Sequence, residues 1–555
     1  MFNKNKLTIT LLSLIFALSL FLRLFQLSSF PVGFHFDEAS KGYSAYSLLK
    51  TGKDDNSHSF PLYIDIFGDN SPAGYHYTAI PSVAALGLTE FAVRLPGALF
   101  GAVSVFAIFF LSLALFQDKK IAVLSALLLS ISPWHINLSR ASSESLVALF
   151  FIMLGFAFVI WSIKTQKIKQ ILIGTALLAV SFFFYQTPRL FVPSLFFAIG
   201  FFLIFVWKIN LKNNFKKIFI ASFLFLVALD FFLIFIISGG VSRFSQVSIF
   251  NYPETTLVLQ EQIREEGVSN IHPLFTRILH NKVINFSLAY ISNYFEYFSW
   301  NFLFIKNLPQ IYFVPSMGVL YLVQLPFVVY GLLLLAFHKT KTHKISLLWL
   351  ILAPLAAAIT AMDVNNLQRA MVLFPMLEII GAFGIVHFVT NTKYKRVAIF
   401  IVAGLFIFNF VYFLNQYFIH TKVHRPWYRN NGFPKMMELV QKEAPFYDHI
   451  VTTKTQGGYP LFQFYTKYNP ETYQKEGSPK DPDYKGFGKF IFTSDPCPFS
   501  SKDKLIPKKG KTIFIEESVC KETPLLQTVP FTYISREDGT KIFRVVFVKD
   551  DKIFE

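Results

Sequence analysis

The run LTITLLSLIFALSLFLRLFQL (7–27) is followed almost at once by FHFDEASKGY (34–43). The first stretch is long enough to cross a bilayer as a helix, which takes about 20 mostly apolar residues. The second sets two adjacent carboxylates, Asp37 and Glu38, where the chain leaves the membrane. A basic leader before an apolar run also marks a secretory signal, but no small-x-small cleavage site follows, so this segment reads as a retained anchor.

Working outward, further apolar runs lie near 93–116, 121–138, 145–163, 171–186, 190–207, 218–238, 316–337, 345–361, 370–390 and 397–414, which predicts eleven spans in all. The composition agrees: 53% of the 555 residues are hydrophobic and 18% aromatic, more apolar surface than a soluble domain covers. The fold class is a polytopic α-helical membrane protein. Net charge is +18, but the lysines gather in alternate gaps, NKNK at the start, QDKK (117–120), KTQKIK (164–169), KINLKNNFKK (208–217), HKTKTHK (338–344) and TKYKR (392–396). That alternation follows the positive-inside bias. No aromatic-basic module accompanies the charge, which argues against nucleic acid as a partner. The N-terminus is therefore expected in the cytoplasm and the C-terminus outside the cell membrane.

Three segments on the outer side are too long for turns. Residues 28–92 form a first extracytoplasmic loop, in which SPAGYHYTAIPSVAALGLTEFAVR reads as short interfacial helices, and residues 239–315 form a second, larger one. The third, 415–555, is expected to be a mixed α/β domain beyond a membrane domain spanning 1–414. DHIVTTKT, KFIFTSD, KTIFIEE, TYISRE and TKIFRVVFVKD alternate as strands do, and Asp538-Gly539 marks a hairpin turn. The two cysteines of the chain, Cys497 and Cys520, both lie there; outside the cytoplasm they are placed to pair, inside it they would stay as thiols.

The unexplained polarity collects at the outer ends of the helices. The first loop carries His35, Asp37, Glu38, Lys41, Asp69 and His76; the short outer gaps carry His135, Arg140, Glu144, Arg189, Asp363 and Arg369. Ionisable groups at membrane depth are costly unless paired or hydrated, so a shared polar cavity is expected. A carboxylate there can take a proton from a hydroxyl, and arginines can clamp a phosphate. An interfacial arginine reaching for headgroups and a histidine packed on Trp134 are the plainer readings of the same residues. No P-loop or dinucleotide glycine motif is present, which argues against ATP coupling.

Several stretches together resemble the GT-C superfamily of membrane glycosyltransferases, which use polyprenyl-phosphate sugars, in the branch containing protein O-mannosyltransferases and the aminoarabinose transferase of lipid A. Phe34, Asp37, Glu38 and Tyr43 match an early F-x-x-DE-x-x-x-x-Y motif. RLPGALFGAVSV (94–105), SPWHINLSRASSE (132–144) and NNLQRAMVLFPMLEIIGAFGI (365–385) follow in the family's order. The resemblance covers about residues 5–415. It implies an inverting transfer of a sugar from polyprenyl phosphate to a protein, lipid or glycan hydroxyl, with Asp37 as base and Glu38 assisting it, orienting it or holding a divalent metal. Arg140, Arg189 and Arg369 would hold the donor phosphate, and Tyr43, Asp69, His76 and His135 would line the substrate site. A lysine that related first loops place before a proline is absent from GDNSPAGYHY (68–77). The rival readings are a transporter or flippase of lipid-linked saccharide, with Asp230 as the acid inside a span, and a noncatalytic envelope assembly factor.

Overall fold

The computed structural model describes residues 2–549 apart from 67–68, 166, 202–246, 307–310, 313, 338–340, 425, 455–457 and 477–484. The expected span 218–238, Asp230 within it and the basic gap 208–217 lie outside the described residues. The chain forms two compact units. The first comprises 1–25, 97–139 and 143–414; the second gathers 26–96, 140–142 and 415–555.

The first unit is helical. Among the described residues five helices are long and apolar enough to cross a membrane: Lys6–Leu24, Glu90–Phe116, Glu144–Thr165, Phe374–Asn391 and Lys395–Lys422. The expected span 121–138 is a bent pair, Lys119–Ile131 and Pro133–Ser139, turning by 58°. The cause is local: Pro133 has no N–H to give the preceding turn and forces Ser132 out of the helical region, to ψ 131°. Asp118 starts the pair by accepting the Lys120 N–H (2.7 Å). Four more apolar helices are shorter, Ile168–Ser181, Thr187–Phe201, Leu322–Phe337 and His343–Ala358. Small residues let backbones meet: a Cβ on Gly174 would stand 2.7 Å from the Gly155 carbonyl oxygen. The helix expected from 370 begins at Phe374, because Pro375 suits a first turn and residues 362–373 wind through turns, with Asp363 and Asn365 at φ 53° and 71°.

The second unit joins the first loop to the C-terminal region. Helix Phe36–Thr51 ends at Gly52 in the left-handed conformation (φ 70°), and a hairpin of β1 (Tyr63–Ile66) and β2 (Asp69–Pro72) leads to helix Gly74–Leu86. The C-terminal region builds a six-stranded sheet from β3 (His449–Thr453), β4 (Gly486–Phe487), β5 (Phe490–Thr493), β6 (Thr512–Glu517), β7 (Phe531–Ser535) and β8 (Lys541–Val548), in the order β4-β5-β3-β6-β8-β7. Strand β3 runs parallel to β5 and β6 and the other pairs are antiparallel. β7 and β8 turn at Asp538-Gly539, with Gly539 at φ 82°. Val451, Phe514, Val546 and Leu526 are buried on one side of it, and a Cys497–Cys520 disulfide closes the 497–520 segment. The first loop packs on this region at Gly42, where a Cβ would stand 2.8 Å from the Phe464 ring, and Tyr43 Oη donates to the Tyr468 carbonyl (3.2 Å).

Candidate active site

Asp37 and Glu38 lie in the first turn of helix Phe36–Thr51, where the N-terminal dipole favours negative charge. His35 caps that turn. Its Nδ1 accepts the Asp37 N–H (3.2 Å), and Glu38 accepts the His35 N–H (3.3 Å). The same ring nitrogen lies 3.4 Å from Asp37 Oδ2. The Asp37 side chain is 43% exposed. It can therefore meet a ligand arriving from solution or from lipid.

Glu38 has the opposite environment. It is 2% exposed, and its carboxylate accepts from Arg94 Nε (3.0 Å) and Nη2 (3.2 Å), from Ser142 Oγ (3.1 Å) and from Arg429 Nη2. Burial pushes its pKa up, but Arg429 and Arg94 outweigh that and hold it down to about 2. Arg94, itself fully buried, also donates to the carbonyls of Leu27 (3.1 Å), Ser28 (3.0 Å) and Gly33 (2.5 Å), so one guanidinium fixes both the acid and the turn that leads to it. Gly33 is required in that turn: its φ is +83°, and a Cβ would stand 2.4 Å from the Arg429 carbonyl oxygen. Phe34, fully buried, packs on Phe464 and lies under the Arg94 guanidinium (5.3 Å). Lys41, one turn after Asp37, donates to the Ser142 carbonyl (3.0 Å).

The other expected residues fall in two sets. In the second unit, Tyr43 is 1% exposed, with its Oη on the Tyr468 carbonyl. Asp69 opens β2 opposite Ile66. His76 is fully buried beside Lys41, and burial first, then that ammonium, lowers its pKa to about 3. Arg140 is fully buried; Nη2 donates to the Gln26 and Phe30 carbonyls (3.2 Å each) and the guanidinium lies against the Tyr417 and Phe418 rings (5.6 Å each). These partners make it a support of the 26–30 turn.

In the first unit, His135 is fully buried, its Nδ1 2.6 Å from Arg23 Nη2 and its ring edge-on to Trp134 at 5.0 Å. Arg189 donates twice to the Phe182 carbonyl (3.3 and 2.9 Å). Arg369, half-buried, donates to the Met362 carbonyl. Thr187 Oγ1 donates to the Arg369 carbonyl (3.2 Å), so the helix start that carries Arg189 and the turn that carries Arg369 adjoin. Glu144 is buried at the start of its helix and Asp363 is exposed.

A divalent metal at Asp37 and Glu38 does not fit these surroundings, since two guanidiniums occupy the Glu38 oxygens and would repel a further cation. Among the described residues, no three His, Cys, Asp or Glu side chains group as a metal site would need. The sequence reading missed the clamp. Arg94 opened a quoted motif without being given a role, and nothing in the local sequence singled out Arg429.

The comparisons with known proteins agree with this architecture. Residues 70–234 match the family model of dolichyl-phosphate-mannose-protein mannosyltransferases. The whole chain superposes on ArnT from Cupriavidus metallidurans: on the apo structure with TM-score 0.54 at 12% identity, and on the structure bound to undecaprenyl phosphate with TM-score 0.51 at 11% identity. Both matches cover 100% of this chain and 99% of that one. The archaeal oligosaccharyltransferase AglB from Archaeoglobus fulgidus, in complex with an inhibitory peptide and a dolichol-phosphate, matches at TM-score 0.47 and 12% identity over 80% of this chain and 59% of its own. No curated protein sequence matches. The fold is the one that ArnT adopts.

Proposed function

We propose that the protein is an inverting glycosyltransferase that moves a sugar from polyprenyl phosphate to a hydroxyl on a protein, lipid or glycan acceptor, at the outer face of the cytoplasmic membrane. The observation that carries this reading is the half-exposed Asp37 carboxylate, held at a helix start by its buried neighbour Glu38, within a GT-C fold. Asp37 takes the proton of the acceptor hydroxyl. The hydroxyl oxygen then bonds to the anomeric carbon from the face opposite the phosphate. The bond from that carbon to the phosphate oxygen breaks, and its electron pair leaves with polyprenyl phosphate.

Glu38 does not exchange protons at neutral pH, because its arginines keep it ionised; it positions Asp37 through the clamp. Arg189 and Arg369, whose segments adjoin, are the proposed phosphate holders, charge stabilisation that counts most as the phosphate departs. Arg140 holds the 26–30 turn, Tyr43 and His135 support their own segments, and Asp69 and His76 border the acceptor side. The four shorter apolar helices and the segment 218–238 complete an eleven-span reading with an extracytoplasmic C-terminal domain. A Cys497–Cys520 disulfide suits that compartment.

The test is the full-length protein in vesicles with labelled polyprenyl-phosphate sugars and a panel of hydroxyl acceptors. We expect release of polyprenyl phosphate with inversion at the anomeric carbon. Movement of intact donor across the bilayer without release would replace this reading with transport.

A further inference from the structure

Helix Lys282–Glu296 is inside out. Its two asparagines and two tyrosines face the protein: Asn285 Nδ2 donates to the Thr255 carbonyl (2.5 Å), Tyr290 Oη to Leu355 (3.2 Å), Asn293 Nδ2 to Ala358 (3.2 Å) and Thr360 (3.1 Å), and Tyr294 Oη to Ile351 (2.8 Å). Its apolar side chains face away. Ile284, Leu288, Ile291 and Phe295, at the spacing of one helical face, are 37, 61, 50 and 64% exposed. The short helix before it, Pro273–Leu279, repeats the pattern, burying only Thr276 while Leu274, Phe275, Ile278 and Leu279 stay more than half exposed. A face of this kind is stable only when something apolar covers it.

Three observations say what covers it. The carbonyls of Ile351, Leu355 and Ala358 belong to the apolar helix His343–Ala358, whose Ile351 side chain is itself 55% exposed, so the outward apolar surface continues from a helix that the eleven-span reading places in the bilayer. Between Glu266 and Glu296 the chain has no acid, while Arg277 and Lys282, both exposed, border the apolar face; the acids Glu261 and Glu265 stand on the separate helix Pro253–Val268. Trp300, 58% exposed, is of the aromatic type that settles at a lipid-water boundary. We propose that residues 271–300 lie on a lipid surface, with the apolar face among the acyl chains and Arg277 and Lys282 at anionic headgroups.

The test uses the full-length protein carrying a fluorescent label on Leu288→Cys, on Phe275→Cys or on Glu261→Cys. The two native cysteines are paired, so the introduced thiol is the one that reacts. In vesicles of phosphatidylcholine with brominated acyl chains, the labels at 288 and 275 should be quenched about threefold or more over the label at 261. Adding phosphatidylglycerol should deepen that quenching, and Arg277→Gln with Lys282→Gln should remove the phosphatidylglycerol effect. Equal quenching at all three positions would overturn the proposal. So would shielding of residue 288 that rises with protein concentration and ignores brominated lipid, because a second copy would then cover the face.

Discussion

Two buried carboxylates in the second unit are held by arginine, and they come about differently. Glu516 in β6 stands opposite Arg544 in β8, so strand register alone brings them together, with Oε1 2.7 Å from Nε. Glu38 meets Arg94 across 56 residues of sequence and Arg429 across 391. The first pair ties two neighbouring strands. The second draws the first loop and the C-terminal region onto one helix start and leaves Asp37 presented beside it. The electrostatics differ too: burial outweighs Arg544 and raises the Glu516 pKa, while two arginines depress that of Glu38. A second guanidinium is what turns the shift at Glu38 downward, where one leaves that of Glu516 upward.

That contrast is open to attack by substitution. Glu38→Gln leaves Arg94 and Arg429 buried against a neutral amide, and should cost on the order of 4 kcal/mol in denaturant unfolding, with turnover falling as well. Its acid limb should also flatten. A depressed carboxylate contributes stability above its ordinary value of 4.5 and loses it as pH falls through about 2. Glu516→Gln should cost on the order of 3 kcal/mol, yet leave turnover per folded molecule unchanged. If turnover fell equally in both variants, the distinction between the site-building and the sheet-building carboxylate would collapse.

Smaller effects sharpen the picture around the clamp. His76, neutral and buried, favours the folded state above 6.5 and opposes it as pH falls toward about 3, because the unfolded chain then takes up a proton that the folded chain refuses. Between about pH 7 and about pH 5 the wild type should therefore lose roughly 2 kcal/mol more stability than His76→Leu. Arg369→Ala should raise the apparent donor KM about tenfold, near 1.4 kcal/mol, with melting behaviour little changed. An unchanged KM would leave Arg369 as a support of the 362–373 turns.

Much of the membrane architecture was legible in the sequence because a bilayer imposes length and apolarity on each crossing. The runs 93–116, 145–163 and 397–414 match helices Glu90–Phe116, Glu144–Thr165 and Lys395–Phe418 within a few residues. The bend after Ile131 was written in Pro133, a signal the apolar run concealed. Strands β3, β5, β6, β7 and β8 were legible from alternation, and the two-residue β4 was too short to show any. Asp37 and Glu38 stood out as paired acids, but their different fates did not, because Arg429 reaches Glu38 from the far end of the chain and no periodicity records such a contact. The outward apolar face of 282–296 was also missed. Its interleaved Asn and Tyr make the stretch look like a polar loop until the helix sorts them onto one side.

The central claim is that Asp37 is the base and Glu38 its support. The most direct measurement compares polyprenyl phosphate release by Asp37→Asn and wild type, at matched concentrations of folded protein and saturating donor. Asp37→Asn should melt with the wild type and bind donor as well, while its turnover falls by about a hundredfold or more. Turnover at the wild-type level in a folded, donor-binding Asp37→Asn would contradict the account.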